Sequence, residues 1–211
     1  VRGTVPGRRG RSLGWPEVRS IMVVLILGLI VFLGTHSVSI VAPAWRDGMV
    51  ARLGESRWKG LYSLASLVGL VMITWGFALA RHTPVVVYIP SAGMRVVAPL
   101  LTLPVFPLLI GAYVPGRIRA IFKHPMLVAV KLWALSHLLA NGMLHEVLLF
   151  GALLAWAVVL RISLKRRPPR PAPNIPVKRF NDASAIIVGI VVYLATVFVL
   201  HRVVLGVSPL T

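Results

Sequence analysis

The chain has 211 residues, 57% of them hydrophobic, and a mean hydropathy of +0.85. Soluble domains are about 45–50% apolar, and about six spanning helices of roughly 20 residues would use most of this length; the composition points to an all-α polytopic transmembrane helix bundle and excludes a separate soluble catalytic domain. The net charge is +18 with only five acidic residues, but most basic residues sit in loops beside apolar segments, where they set topology and meet anionic lipid, so the implied partner is a bilayer and not nucleic acid.

Residues 1–21 form a basic extension with Arg2, Arg8, Arg9, Arg11 and Arg19 among glycines, and residues 1–20 read as disordered. The extension could be the n-region of a signal peptide, with VAPAW at 41–45 as a cleavage pattern. The apolar run behind it is about 19 residues, against roughly 7–15 for a signal sequence, which favours a retained first span. A start at Met22 is the other reading, and it would leave the extension untranslated. The first span covers 22–40 and carries His36 near its end.

The second span covers 61–80, preceded by Trp58 as an interfacial anchor. The third, 96–113, contains Pro99, Pro104 and Pro107, so it is expected to bend and to pack against neighbours that satisfy the freed carbonyls. The apolar loop before it, TPVVVYIPSAGMR, is expected in the interface. The fourth span begins at Pro125, a good first helical residue, and ends at the Asn141-Gly142 turn signal. The fifth runs over 144–162. Then comes KRRPPRPAPNIPVKR, a Pro- and Arg-rich linker, and a sixth span at 183–204.

Charge counting orients the bundle. The loops after spans one, three and five carry fourteen Lys and Arg, while the opposite side carries three, or eight with the basic extension. The excess belongs in the cytoplasm, which puts both termini on the outer side.

Cysteine is absent. That removes disulfides, thiolate haem ligation and c-type haem attachment, leaving histidine or oxygen to hold any metal. Two histidines fall within apolar spans, where an ionisable group is costly and usually faces the bundle interior. His36 could be satisfied by Thr35 and Ser37. His137 has Trp133 and Asn141 one turn either side on the same face, a stripe that suits a buried cofactor and equally suits helix packing with a polar contact. Neutral imidazoles are the commonest metal ligands, so one from each of two facing helices could hold a b-type haem. By helical rise, His36 lies about 21 Å and His137 about 12 Å from the outer face, a mismatch of about 9 Å. His124, in FKHPM, is expected at the interface and is the alternative partner of His36. His82, His145 and His201 are terminal. Lys131, about 9 Å into its helix, can snorkel to the surface or neutralise a haem propionate. No H-E-x-x-H, G-x-S-x-G or Walker pattern occurs.

The segments FLGTHS (32–37), LGESRWKGLYSLASLVGLVMITWGFALAR (53–81), PGRIRAIFKHPMLVAVKLWALSHLLANG (115–142) and HRVVLGVSPL (201–210) resemble the NnrU family. The likeness covers the chain from Met22 onward, so 22–211 reads as one NnrU-like membrane domain. The resemblance implies a small multi-pass protein of the bacterial inner membrane, associated in denitrifying bacteria with nitrite and nitric-oxide reduction and so with components of those reductase systems. The family also includes the plant zeta-carotene isomerases, which carry b-type haem and isomerise a cis double bond of a polyene. Carried over by motif, His36 and His137 would be the axial haem ligands and His124 a further functional position. The chain has KHP where RHP is expected, a minor departure.

The combined expectation is a membrane protein that binds b-type haem between its first and fourth spans and acts in nitrite and nitric-oxide metabolism. The alternatives are a haem-dependent polyene isomerase, which needs a deep apolar groove opening to lipid, and a haem-free scaffold or assembly factor.

Overall fold

The computed structural model describes residues 15–166 and 180–209, with side chains from residue 21 onward. The Arg-rich stretch at 1–14 and the linker from 167 to 179 lie outside the described residues. The first helix, α1 (Trp15–Val41), starts earlier than the apolar run that defines its span. Pro16 explains the difference, because proline suits the first turn of a helix. Residues 15–20, expected to be disordered, are thus the opening turns of α1.

A short helix that the hydropathy pattern does not announce follows, α2 (Pro43–Leu53), with Pro43 at its start. Gly54, at φ +79°, closes α2 and opens α3 (Glu55–Ala80), a conformation that suits glycine. The chain thereby folds back, and α3 runs along α1 for much of its length. Small residues make this approach close. A Cβ on Gly76 would stand 2.5 Å from the Leu25 backbone nitrogen, and one on Gly69 2.7 Å from that of Phe32. The two glycines lie seven residues apart, hence on one face, and in lipid such backbone proximity is a main source of helix association. Leu25, Leu29 and Ile73 form the core of this pair, covered by Phe77 and by Leu149 from a later helix.

The proline-rich span breaks in two, into α4 (Ala92–Thr102) and α5 (Val105–Gly111). Proline removes a backbone donor, so carbonyls are left over, and in a bilayer they must find partners inside the protein. The Pro99 carbonyl keeps its helical donor, the Leu103 N–H at 3.1 Å, and accepts in addition from Thr102 Oγ1 at 2.9 Å and from the Tyr193 hydroxyl at 3.0 Å, a bond that ties the last span to α4. Next come α6 (Arg117–Phe122), α7 (Pro125–Ala140) and α8 (Leu144–Lys165). The last span is α9 (Asn181–Ala195), a π-helical turn at Thr196–Leu200, and α10 (His201–Leu205). It packs on α5, while Asp182 at its start accepts from the backbone N–H groups of Arg117 and Ile118 at 2.8 and 3.0 Å.

Among the described residues, five helical segments are long and apolar enough to cross a membrane: Ile21–Val41, Glu55–Ala80, Ala92–Gly111, Leu144–Lys165 and Asn181–Leu205. The expected fourth span is the shorter Pro125–Ala140. Its 16 residues rise only about 24 Å, less than the roughly 30 Å of a hydrocarbon core. The architecture is an all-α membrane bundle, with large apolar side chains such as Leu64, Val71, Trp75, Ile187 and Val191 turned outward.

The loop between α3 and α4 is a strap and not simply an interfacial segment. Val86 forms an antiparallel bridge with Met143, and the Leu144 N–H donates to the Val85 carbonyl at 2.8 Å. This fastens the loop across the α7–α8 turn. Val86, Val87 and Ile89 remain exposed, as a bilayer-facing strap requires.

Candidate functional site

His36 sits about 7.5 Å before the end of α1, measured by helical rise. Its Nδ1 lies 2.8 Å from the carbonyl oxygen of Phe32, one turn earlier. A carbonyl only accepts, so Nδ1 carries the proton and Nε2 keeps its lone pair. The imidazole lies on the Phe32 ring at 4.2 Å and meets Tyr62 of α3 and Trp156 of α8 at 5.2 and 5.9 Å, both edge-on. Thr35 does not satisfy it, because Thr35 Oγ1 donates to its own Val31 carbonyl at 2.7 Å.

A cavity of ≈ 260 Å³ adjoins this ring, between the end of α1, the helix α2 and the start of α3. His36, Tyr62, Trp58, Arg46, Glu55 and Lys59 line it. Arg46 is paired with Asp47 at 2.7 Å and Lys59 with Glu55 at 2.8 Å. The Trp45 and Trp58 rings meet edge-on at 5.9 Å, an aromatic pair of the kind that marks a membrane–water boundary. The cavity therefore opens at the basic end of the bundle and has a polar, charged wall.

His137 repeats the same local device in α7. Its Nδ1 lies 2.8 Å from the Trp133 carbonyl, again one turn earlier, so Nε2 is again the free lone pair. The ring packs on Trp133 at 5.1 Å and on Phe150 of α8 at 4.4 Å. Asn141, expected on the same stripe, instead ends the helix, and its carbonyl accepts from the Tyr88 hydroxyl of the strap at 2.7 Å. The same hydroxyl also reaches the Leu138 carbonyl.

The structure does not bring His36 and His137 into contact. One meets Trp156 and the other Phe150, and those two residues of α8 are separated by about 9 Å of rise and about 120° of rotation. Any group held by both histidines must be reached from two flanks of α8. His137 is not among the residues lining the cavity at His36.

His124 is the N-cap of α7 and follows Lys123, whose φ of +56° is unusual for a side-chain-bearing residue. Such backbone strain persists only where the surroundings enforce it. Burial, and after it the positive charges of Arg161 and Lys123, hold the His124 imidazole below the ordinary histidine range. It is therefore neutral and available as a ligand or hydrogen-bonding group at neutral pH. Lys131 is half-buried on α7 and makes no ion pair among the described residues. Among those residues no group of three or more potential metal-ligating side chains occurs.

Sequence reasoning overlooked three features. The first is Phe32, the aromatic residue four positions before His36, which the pattern F-x-x-x-H could have revealed just as Trp133 was read beside His137. The second is the contribution of Tyr62 and Trp156, for which nothing local in the sequence speaks. The third is His145, taken as a boundary residue, which is only 3% exposed and packs edge-on to Phe77 at 4.8 Å.

A membrane bundle with an imidazole anchored at a charged interfacial cavity, and a second one anchored in the same way across a neighbouring helix, defines a polytopic protein with candidate intramembrane ligand sites. Comparison with protein families identifies it further: the chain belongs to the NnrU family, whose model, described as NnrU protein, matches residues 24–209. Comparison with curated proteins and with solved structures finds no match.

Proposed function

We propose that this NnrU-family chain binds b-type haem through the Nε2 atoms of His36 and His137 and acts in nitrite and nitric-oxide metabolism at the bacterial cytoplasmic membrane. The observation that carries this reading is the shared tautomer. Each imidazole donates Nδ1–H to the carbonyl one turn back, at 2.8 Å in both cases, and so presents Nε2 as a ligand. Hydrogen bonding at the far nitrogen fixes ring orientation and raises ligand basicity, as metal-binding histidines require. The donor chemistry thus fits haem. Once bound, haem supplies a redox-active iron and a coordination position for small ligands.

The remaining roles belong to the chain itself. Phe32 and Trp133 hold the two rings in place. Lys131 on α7, which makes no ion pair among the described residues, is the cation available to a carboxylate, Arg46 and Lys59 being paired with Asp47 and Glu55. His124 stays neutral at the basic end of α7 and is a further functional position. The excess of Lys and Arg at that end supports a cytoplasmic assignment for it and periplasmic termini. Components of nitrite and nitric-oxide reductase systems are the proposed partners. The wall of charged and hydroxyl-bearing side chains at His36 suits a small polar ligand better than a polyene, so the isomerase reading is not carried forward.

The test is an absorption spectrum of detergent-purified protein, oxidised and dithionite-reduced, after expression with haem supplied. A Soret band with sharp α and β bands on reduction is the expected result. A featureless visible spectrum from folded protein contradicts the haem reading.

A further inference from the structure

The helix that carries His137 ends below the membrane surface. Its 16 residues rise about 24 Å. Its first residue follows Lys123 at the basic end, so the shortfall against a hydrocarbon core of about 30 Å falls at the other end. There Asn141 leaves the helical conformation and gives its N–H to the His137 carbonyl at 2.9 Å, which closes the last turn. The carbonyls beyond it have no helical donor, and lipid offers none. The strap supplies the donors. The Tyr88 hydroxyl reaches the carbonyls of Leu138 and Asn141, and the N–H groups of Val87 and Tyr88 donate to the Gly142 carbonyl at 2.8 and 3.2 Å. Gly142 lets the two segments meet, since a Cβ there would collide with the Tyr88 carbonyl oxygen. Leu138 directly follows His137, and the bond from His137 Nδ1 to the Trp133 carbonyl spans the same last turn. Whatever holds that turn helical therefore holds the imidazole.

We propose that Tyr88 is a positioning residue for His137: by closing the lipid-buried end of α7 it keeps Nδ1 on the Trp133 carbonyl and leaves Nε2 fixed as a ligand. Hydrogen bonds outside the ligand itself set ring orientation in this way at metal-binding histidines. His36 needs no such support, because α1 continues past it to Val41 and holds its turn with its own ladder. The inference rests on the reading of His137 as a ligand residue but does not require haem.

The test uses the purified full chain in detergent, without added haem and with ¹⁵N-labelled histidine. The His137 and His36 signals are those missing from His137→Gln and His36→Gln. In Tyr88→Phe the His137 Nδ1–H is expected to exchange with water about fivefold faster, the factor that one hydrogen bond contributes. The His137 ring shifts are expected to move toward a mixture of the two tautomers, while the His36 signals stay in place. Unmoved His137 signals, or equal changes at both histidines, overturn the proposal. If Tyr88→Phe does not fold, p-aminophenylalanine at position 88 keeps a weaker donor on the same ring, and the same change is expected at smaller size. A featureless visible spectrum from haem-supplied protein whose His137 signals respond to Tyr88→Phe removes the haem reading and keeps this one. A haem spectrum from protein whose His137 signals do not respond does the reverse.

Discussion

At the basic end of the bundle, His36 adjoins a cavity of ≈ 260 Å³ formed where α1, α2 and α3 turn back on one another. On the other flank of α8, His137 is held between Trp133 and Phe150, with Ser136 only 1% exposed beside it. The local chemistry of the two histidines is the same, down to the carbonyl one turn earlier. Their surroundings differ because α2 and the Gly54 turn keep polar side chains at the first site, while α7 and α8 close directly on each other at the second. A ligand-competent imidazole is thus a property of four or five consecutive helical residues, whereas access to it is a property of the tertiary fold.

Substitutions can separate these two levels. The largest effect is expected in the closed region: Phe150→Ala, at a residue 5% exposed, should cost about 3 kcal/mol by the cavity it leaves. Tyr62→Phe at the open site should stay within about 0.5 kcal/mol. Reversible unfolding in detergent measures both, and equal losses would erase the distinction between an open and a closed site. The approach of α1 and α3 is the next most sensitive feature. Gly76→Ala places a methyl against the Leu25 backbone and should cost about 1–3 kcal/mol. Gly34→Ala, which meets nothing within 4 Å, should be neutral or stabilising by up to about 1 kcal/mol.

Away from both histidines, Tyr193→Phe removes the hydrogen bond that joins the last span to the Pro99 carbonyl of α4, which keeps its Thr102 and Leu103 donors. About 1 kcal/mol is expected, as for other hydrogen bonds between membrane helices. The smallest effect concerns pH. The folded-state pKa of His124 is lowered by burial, then by Arg161 and Lys123, so the unfolded chain takes up a proton first as pH falls. Its contribution to stability is present above about pH 6.5 and is lost as pH falls through the lower folded value. Arg161→Gln should raise the His124 titration midpoint, read from its ring NMR shifts. An unchanged midpoint would mean that Arg161 does not act on it.

Much of this arrangement is legible in the sequence, because hydropathy, prolines and turn residues each act locally. The apolar runs locate the spans, Pro99, Pro104 and Pro107 announce the break between α4 and α5, and Pro125 and Asn141-Gly142 bracket α7 closely. Helix ends are less legible. Trp58, Lys59 and Lys165 lie beyond the apolar spans yet belong to α3 and α8, since interfacial and snorkelling side chains extend a helix past the hydrocarbon edge. The 9 Å offset between His36 and His137 also follows from counting residues, and the Trp156-to-Phe150 separation on α8 has the same magnitude. Contacts that join distant segments are not encoded locally. Neither the strap from Val85 to Leu144 nor the meeting of His36 with Trp156 has a signature in its own stretch of chain.

The central claim is that both anchored imidazoles are ligands of one cofactor, and single-histidine variants address it most directly. Optical spectra of haem-supplied wild type, His36→Ala and His137→Ala, matched for folded protein, are the decisive set. The account predicts that each variant loses the sharp reduced α and β bands of a six-coordinate low-spin haem. Wild-type spectra in both variants would contradict it and leave the two histidines as packing residues.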